Sequence, residues 1–147
     1  MSMNRIVDII STMLIVLFCY AAISKWMDSG KFISQLSQSP ITHPFSHLIF
    51  YALPLLELLV ACSLIAYKTK TMGLYISLFI MSIFTAYIYI ILNYSFYVPC
   101  SCGGVLGHMS WKVHFIFNMS CIFLIITAIL IQCLLEQKNN TLPTNKA

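Results

Sequence analysis

Residues 73–92, GLYISLFIMSIFTAYIYIIL, carry no charged side chain from end to end. The hydrocarbon core of a bilayer is about 30 Å thick, and a helix needs about 20 apolar residues to cross it. This stretch meets that requirement on its own, and it decides the class of the whole chain. Working outward, three more runs of the same kind appear at 6–26, 47–67 and 111–135. The chain is 60% hydrophobic and 8% charged, where a soluble domain carries roughly 25% charged residues. The fold expected is all-α, an integral membrane four-helix bundle. Its transmembrane domain spans 1–137, and 138–147 reads as a disordered cytoplasmic tail.

Little chain remains for anything else. The linkers are too short for a soluble domain, an internal repeat or a nucleotide-binding module. The net charge of +4 comes from lysines flanking the helices, not from a basic patch of the kind that binds nucleic acid. The first run is longer than a typical signal-peptide core, and Asp8 sits where a positive charge is expected. It therefore reads as a retained helix.

Lysine and arginine near helix ends set orientation. Arg5, Lys68, Lys70, Lys138 and Lys146 fall on one side, and Lys25, Lys31 and Lys112 on the other. The imbalance predicts both termini in the cytoplasm. It places the 93–110 connection outside, where a disulfide persists.

That connection holds Pro99-Cys100-Ser101-Cys102-Gly103-Gly104. Three chemistries fit two thiols one residue apart. The first is thiol–disulfide exchange: an exposed thiol near a helix N-terminus has a lowered pKa. A disulfide closed over one residue is strained, and strained exposed disulfides are the oxidising ones. Gly103 and Gly104 leave room for a partner's backbone. The second is metal handling, with Cys100, Cys102, His108 and His114 near one face and Met109 adjacent. Thiolate and thioether ligands suit copper(I), and two Cys with two His suit zinc. The spacing matches no standard zinc module, and no metal ligand set is assigned. The third is inert, a stapled loop or two unused thiols.

The helices carry a few polar residues that need an account. Glu57 follows Pro54 in the second run, near the bilayer middle, where an acid costs about 2.5–3.5 kcal/mol. It must be paired, protonated or turned to a polar cavity; Lys25 or a tyrosine hydroxyl is the expected structural partner, and proton handling is the functional alternative. Lys25 itself is expected to snorkel toward the headgroups beside an interfacial Trp26. Between them, 30–46 has Phe32, Ile33 and Leu36 at helical spacing and reads in part as a short amphipathic interfacial helix. His43 and His47 read as interfacial or capping residues. In the third run, Tyr89, Asn93 and Tyr97 share a face, as bundle packing or as a ring pocket for a quinone.

Ser110 is a good N-cap for the last helix. Trp111, His114, Asn118 and Cys121 then form one stripe running inward from the cysteine pair. Asn118 reads as an interhelical hydrogen-bonding residue or as part of a polar path below the cysteines. Cys19 and Cys121 read as packing residues, with electron relay as the alternative. Cys62 and Cys133 read as reduced filler.

Three stretches together carry a resemblance: Ser24-Lys25-x-x-Asp28, Leu53-Pro54-x-x-Glu57-Leu58, and Pro99-Cys100-Ser101-Cys102-Gly103-Gly104 followed by Ser110-Trp111-x-x-His114-x-x-x-Asn118. On these motifs the chain resembles the MauE/DoxX-like membrane protein family, named partly for methylamine utilisation. The resemblance implies a four-helix membrane bundle working beside thioredoxin-like proteins in forming or maintaining disulfides of exported proteins. It links the fold to quinone-coupled oxidation. It places Cys100, Cys102, His114, Glu57 and Lys25 at the catalytic positions and Trp111 and Asn118 at cofactor-side positions. The function expected is a thiol–disulfide redox protein with an extracytoplasmic thioredoxin-like partner, quinone being the one cofactor the resemblance suggests. A copper- or zinc-handling module and a non-catalytic subunit of a larger complex are the alternatives.

Overall fold

A computed structural model describes residues 3–38, 43–94 and 110–141. Five α-helices run in chain order: α1 Met3–Met27, α2 Ser29–Gln38, α3 Ser46–Ile65, α4 Lys70–Tyr94 and α5 Trp111–Thr141. Single turns of 3-10 helix at His43–Phe45 and Tyr67–Thr69 precede α3 and α4. There is no strand among the described residues. Four segments are long and apolar enough to cross a membrane: Met3–Met27, His43–Ile65, Tyr67–Asn93 and Lys112–Lys138. The protein is a four-helix membrane bundle.

The long helices close a ring in which sequence neighbours are spatial neighbours. α1 packs most extensively on α3 and α4 on α5, while α3–α4 and α1–α5 contacts complete the circle. Inward positions recur at intervals of three and four, as a helix requires. Val7, Ile10, Leu14 and Phe18 line α1, and Cys121, Ile125 and Ala128 line α5; with Val60, Ala61, Leu64, Leu74 and Met81 they form one core. Large apolar side chains also cover the outside, among them Val16, Leu59, Phe79 and Phe123. A soluble monomer does not expose so much apolar surface, and here the lipid covers it.

Lipid tails are as apolar as leucine, so helix association in a bilayer rests on close packing and internal hydrogen bonds. Both are present. Ser77 Oγ donates to the Gly73 carbonyl at 2.7 Å, and Thr85 Oγ1 to Met81 at 2.7 Å, so these buried hydroxyls are satisfied within their own helix. Gly73 lets α4 approach α3: a Cβ there would stand 2.7 Å from Ser63 Oγ and 3.0 Å from Leu64 Cδ2.

The α3–α4 turn is tied by side chain as well as backbone. Thr69 Oγ1 donates to the Ser63 carbonyl at 2.8 Å, and the Thr69 amide to Ala66 at 3.0 Å. At this end of the bundle, Lys70 of α4 bonds Asp8 of α1 at 2.7 Å, and Thr71 donates to Glu136 of α5 at 3.2 Å. Asp8, out of place in a signal peptide, is thus a clasp across the ring.

Two expectations change. α5 continues through Thr141, so 138–141, expected in a disordered tail, are helical. Gln137 and Lys138 are good helix formers, and a cation in the last turn suits the helix dipole. The interfacial segment is helical at Ser29–Gln38, and its apolar face is not left to the lipid alone. Phe32 and Leu36 pack on Phe50 of α3 as a small separate core. Phe32 and Phe50 stand 6.1 Å apart by ring centroids.

Gly73→Val should lower the thermal midpoint of the purified protein, at a cost of roughly 1–3 kcal/mol from overpacking, with Gly73→Ala milder. Thiol-reactive dye uptake on heating, with buried Cys121 as reporter, measures it.

Candidate functional site

α1 ends, α3 begins, α4 ends and α5 begins at the same end of the ring, and α2 packs there against α3. Lys25 and Glu57 meet just below. Lys25 Nζ lies 2.7 Å from Glu57 Oε1. The two side chains are 11% and 1% exposed, so the charges are removed from solvent as a pair. Such a pair persists when each member satisfies the other and taking one partner away is costly.

Lys25 does not snorkel. Its ammonium turns back one helical turn and also donates to the Ala21 carbonyl at 3.1 Å. The Cα–Cβ bond of a helical residue tilts toward the helix N-terminus, which for Lys25 means into the bundle, and Glu57 supplies the counter-charge. Phe32 of α2 lies beyond the ammonium, with Nζ 6.0 Å from the ring centroid. That is the range of a cation–π contact. This role of Phe32 escaped the sequence reading; the signal was its helical spacing with Leu36.

Glu57 Oε2 is buried and accepts no hydrogen bond among the described residues. One oxygen of the carboxylate is therefore committed to Lys25 and the other is not. A buried acceptor left unmade costs about 1–3 kcal/mol. It marks a place for a water, a proton or a ligand donor.

α5 brings the remaining groups. Ser110 caps it: its carbonyl accepts the His114 amide at 3.0 Å and its Oγ the Val113 amide at 3.4 Å. Below the cap, His114 is half-buried and Asn118 and Cys121 are buried. His114 is close enough to Lys25 for their charges to interact. The inward stripe read from sequence is therefore present from His114 through Asn118 to Cys121.

Cys100 and Cys102 lie outside the described residues, as do His108 and Tyr97; so does the side chain of Trp111, which opens α5. The two cysteines fall in the sequence between Tyr94 and Ser110, which flank the end where Lys25 and His114 sit. Cys19, Cys62, Cys121 and Cys133 are free thiols. Cys121 belongs to the core with Cys19 packed against it, while Cys62 and Cys133 are exposed on the lipid-facing wall. No group of three or more His, Cys, Asp or Glu arranged to hold a metal occurs among the described residues. His43 and His47 are exposed. On the Tyr89 face, Tyr89 is 51% exposed with its ring 6.3 Å from Phe115, and exposed Asn93 donates from Nδ2 to the Tyr89 carbonyl at 2.9 Å.

Fold and site define a multi-pass membrane protein with a buried acid–base pair under one end of its bundle. Residues 3–131 match the family model of the methylamine utilisation protein MauE, and the chain belongs to that family. No curated protein and no solved structure matches it.

Lys25→Met should destabilise the protein by about 3 kcal/mol, because Glu57 is left buried and unpaired. Lys25→Met/Glu57→Leu should recover most of that loss, a positive coupling measurable as a double-mutant cycle in detergent unfolding. Strict additivity would show that the two residues do not form an energetic pair.

Proposed function

We propose that the protein is a thiol–disulfide redox protein of the bacterial inner membrane, with both termini cytoplasmic and Cys100 and Cys102 on the outer face. The observation that carries this reading is the buried Lys25–Glu57 pair, with His114 within electrostatic range of Lys25. It lies under the two helix ends between which the cysteines fall in sequence. Membership of the MauE family supports the placement, since the matched span includes both cysteines.

The exchange partner in this reading is an extracytoplasmic thioredoxin-like protein. A thiolate of the partner attacks one sulfur of the Cys100–Cys102 disulfide. That S–S bond breaks as the mixed disulfide forms, and the partner's second thiol displaces the remaining loop sulfur. The partner leaves as a disulfide, and the loop holds the two electrons and two protons as a dithiol. His114, in the first turn of α5, stabilises the loop thiolate and exchanges its proton.

Exchange between a dithiol and a disulfide carries protons and electrons together, so it gives no work to an acid buried in the membrane. Reoxidation of the loop by a membrane acceptor does. Glu57 Oε2, buried with no hydrogen-bond donor among the described residues, is an acceptor open to the hydroxyl of a reduced quinone, and Asn118 lies on the stripe that the family resemblance places beside such a ring. A quinone bound here would supply a two-electron, two-proton acceptor. Glu57 holds a proton at Oε2, and Lys25 keeps its other oxygen fixed.

Cys100→Ser and Cys102→Ser should each abolish oxidation of a thioredoxin-like dithiol by membranes containing the protein, while Cys62→Ser and Cys133→Ser leave it unchanged. Full activity in the Cys100→Ser/Cys102→Ser variant would refute the redox role. An impermeant maleimide applied to intact cells should label the pair only after mild reduction. Labelling only after permeabilisation would reverse the orientation.

A further inference from the structure

At the opposite end of the bundle, the outer wall between α4 and α5 carries a groove of about 670 Å³. Thr71, Met72, Tyr75 and Phe79 of α4 form its length, Lys68 stands at its mouth and Glu136 of α5 at its side. From the Thr71 level to Phe79 the groove runs about 12 Å along the helix, most of one leaflet's half of a hydrocarbon core of about 30 Å. Met72 and Phe79 are each 66% exposed and Tyr75 54%, on a wall that faces lipid.

The charges at the mouth are of opposite sign and are not joined to each other. Lys68 makes no ion pair among the described residues, unlike Lys70, which is bound to Asp8. Glu136 accepts Thr71 Oγ1 on Oε1 and forms no ion pair among the described residues. A cation, an anion and an apolar channel leading away from both describe the polarity of a zwitterionic phospholipid. An anionic headgroup would meet Lys68 but be repelled by Glu136. A choline headgroup carries positive charge but no N–H donor for the carboxylate. A primary ammonium has three donors, and in an ethanolamine headgroup it is joined to the phosphate through two methylenes and an ester oxygen.

We propose that this groove is a binding site for a phospholipid with a primary-ammonium zwitterionic headgroup, of the phosphatidylethanolamine class. The ammonium bonds Glu136, the phosphate lies against Lys68, and an acyl chain lies along Met72, Tyr75 and Phe79. Thr71 holds the Glu136 carboxylate in position. The site is remote from the Lys25–Glu57 pair and does not depend on the redox reading.

The test uses the purified full chain, delipidated, then exchanged against vesicles with equal parts phosphatidylethanolamine, phosphatidylcholine and phosphatidylglycerol, with retained lipid counted by native mass spectrometry. Phosphatidylethanolamine should be retained in several-fold excess over both others. Glu136→Gln, which still accepts from Thr71, should remove the preference over phosphatidylcholine. Lys68→Gln should weaken retention of both zwitterionic lipids. Lipid retained in the bulk ratio, a preference for phosphatidylglycerol, or a phosphatidylethanolamine preference unchanged in Glu136→Gln would each overturn the proposal. Lys68 and Glu136 are exposed surface positions, and the wild-type ratio alone decides the first two outcomes.

Discussion

A carboxylate placed halfway down a membrane helix fixes most of what surrounds it. Glu57 is tolerable in α3 only because Lys25 of α1 reaches it at 2.7 Å, and Lys25 reaches it only by turning inward. That sets the register of α1 against α3, the most extensive helix pair in the bundle. It also requires a cover over the ammonium, and α2 provides one, with Phe32 against Lys25 and against Phe50. The electrostatic requirement of one residue thus explains the partner, the helix register and the presence of a short packed helix at the mouth.

The second set of constraints is steric. With no hydrophobic force pulling helices together inside lipid, the ring depends on close approach. Gly73 permits it between α4 and α3, and the buried Ser77 and Thr85 hydroxyls are bonded within α4 so that they claim no space elsewhere. The Asp8–Lys70 and Thr71–Glu136 contacts join α1, α4 and α5 at the other end. The bundle is fastened by polar contacts at both ends and by shape between them.

Much of this was legible in the sequence. Four apolar runs of membrane length fix four helices, because a bilayer leaves the backbone few alternatives. The Ser110 cap and the stripe from His114 through Asn118 to Cys121 follow from helical spacing, and Lys25 was a natural partner for Glu57. What could not be read was direction and distance. Snorkelling and inward turning are both open to a lysine near a helix end, and only the position of Glu57 in the folded ring selects one. The Asp8–Lys70 contact joins helices that are neither adjacent in sequence nor paired by pattern. Helix α5 outruns its apolar run through Gln137 and Lys138, which are good helix formers, and its last three residues, Asn139, Asn140 and Thr141, have no such propensity. The cysteine pair itself is known from sequence and family alone.

Between the two polar ends lies a layer with no Asp, Glu, His, Lys or Arg among the described residues. Leu14, Phe18, Val60, Met81 and Ile125 fill it, none more than 3% exposed. A layer packed this closely has no room for a file of water. The Lys25–Glu57 pair is therefore separated from the other end of the bundle by a close-packed apolar layer. In the proposed redox cycle, protons exchanged at Glu57 would pass only to the face they came from, and the cycle would run without discharging the electrochemical gradient across the bilayer.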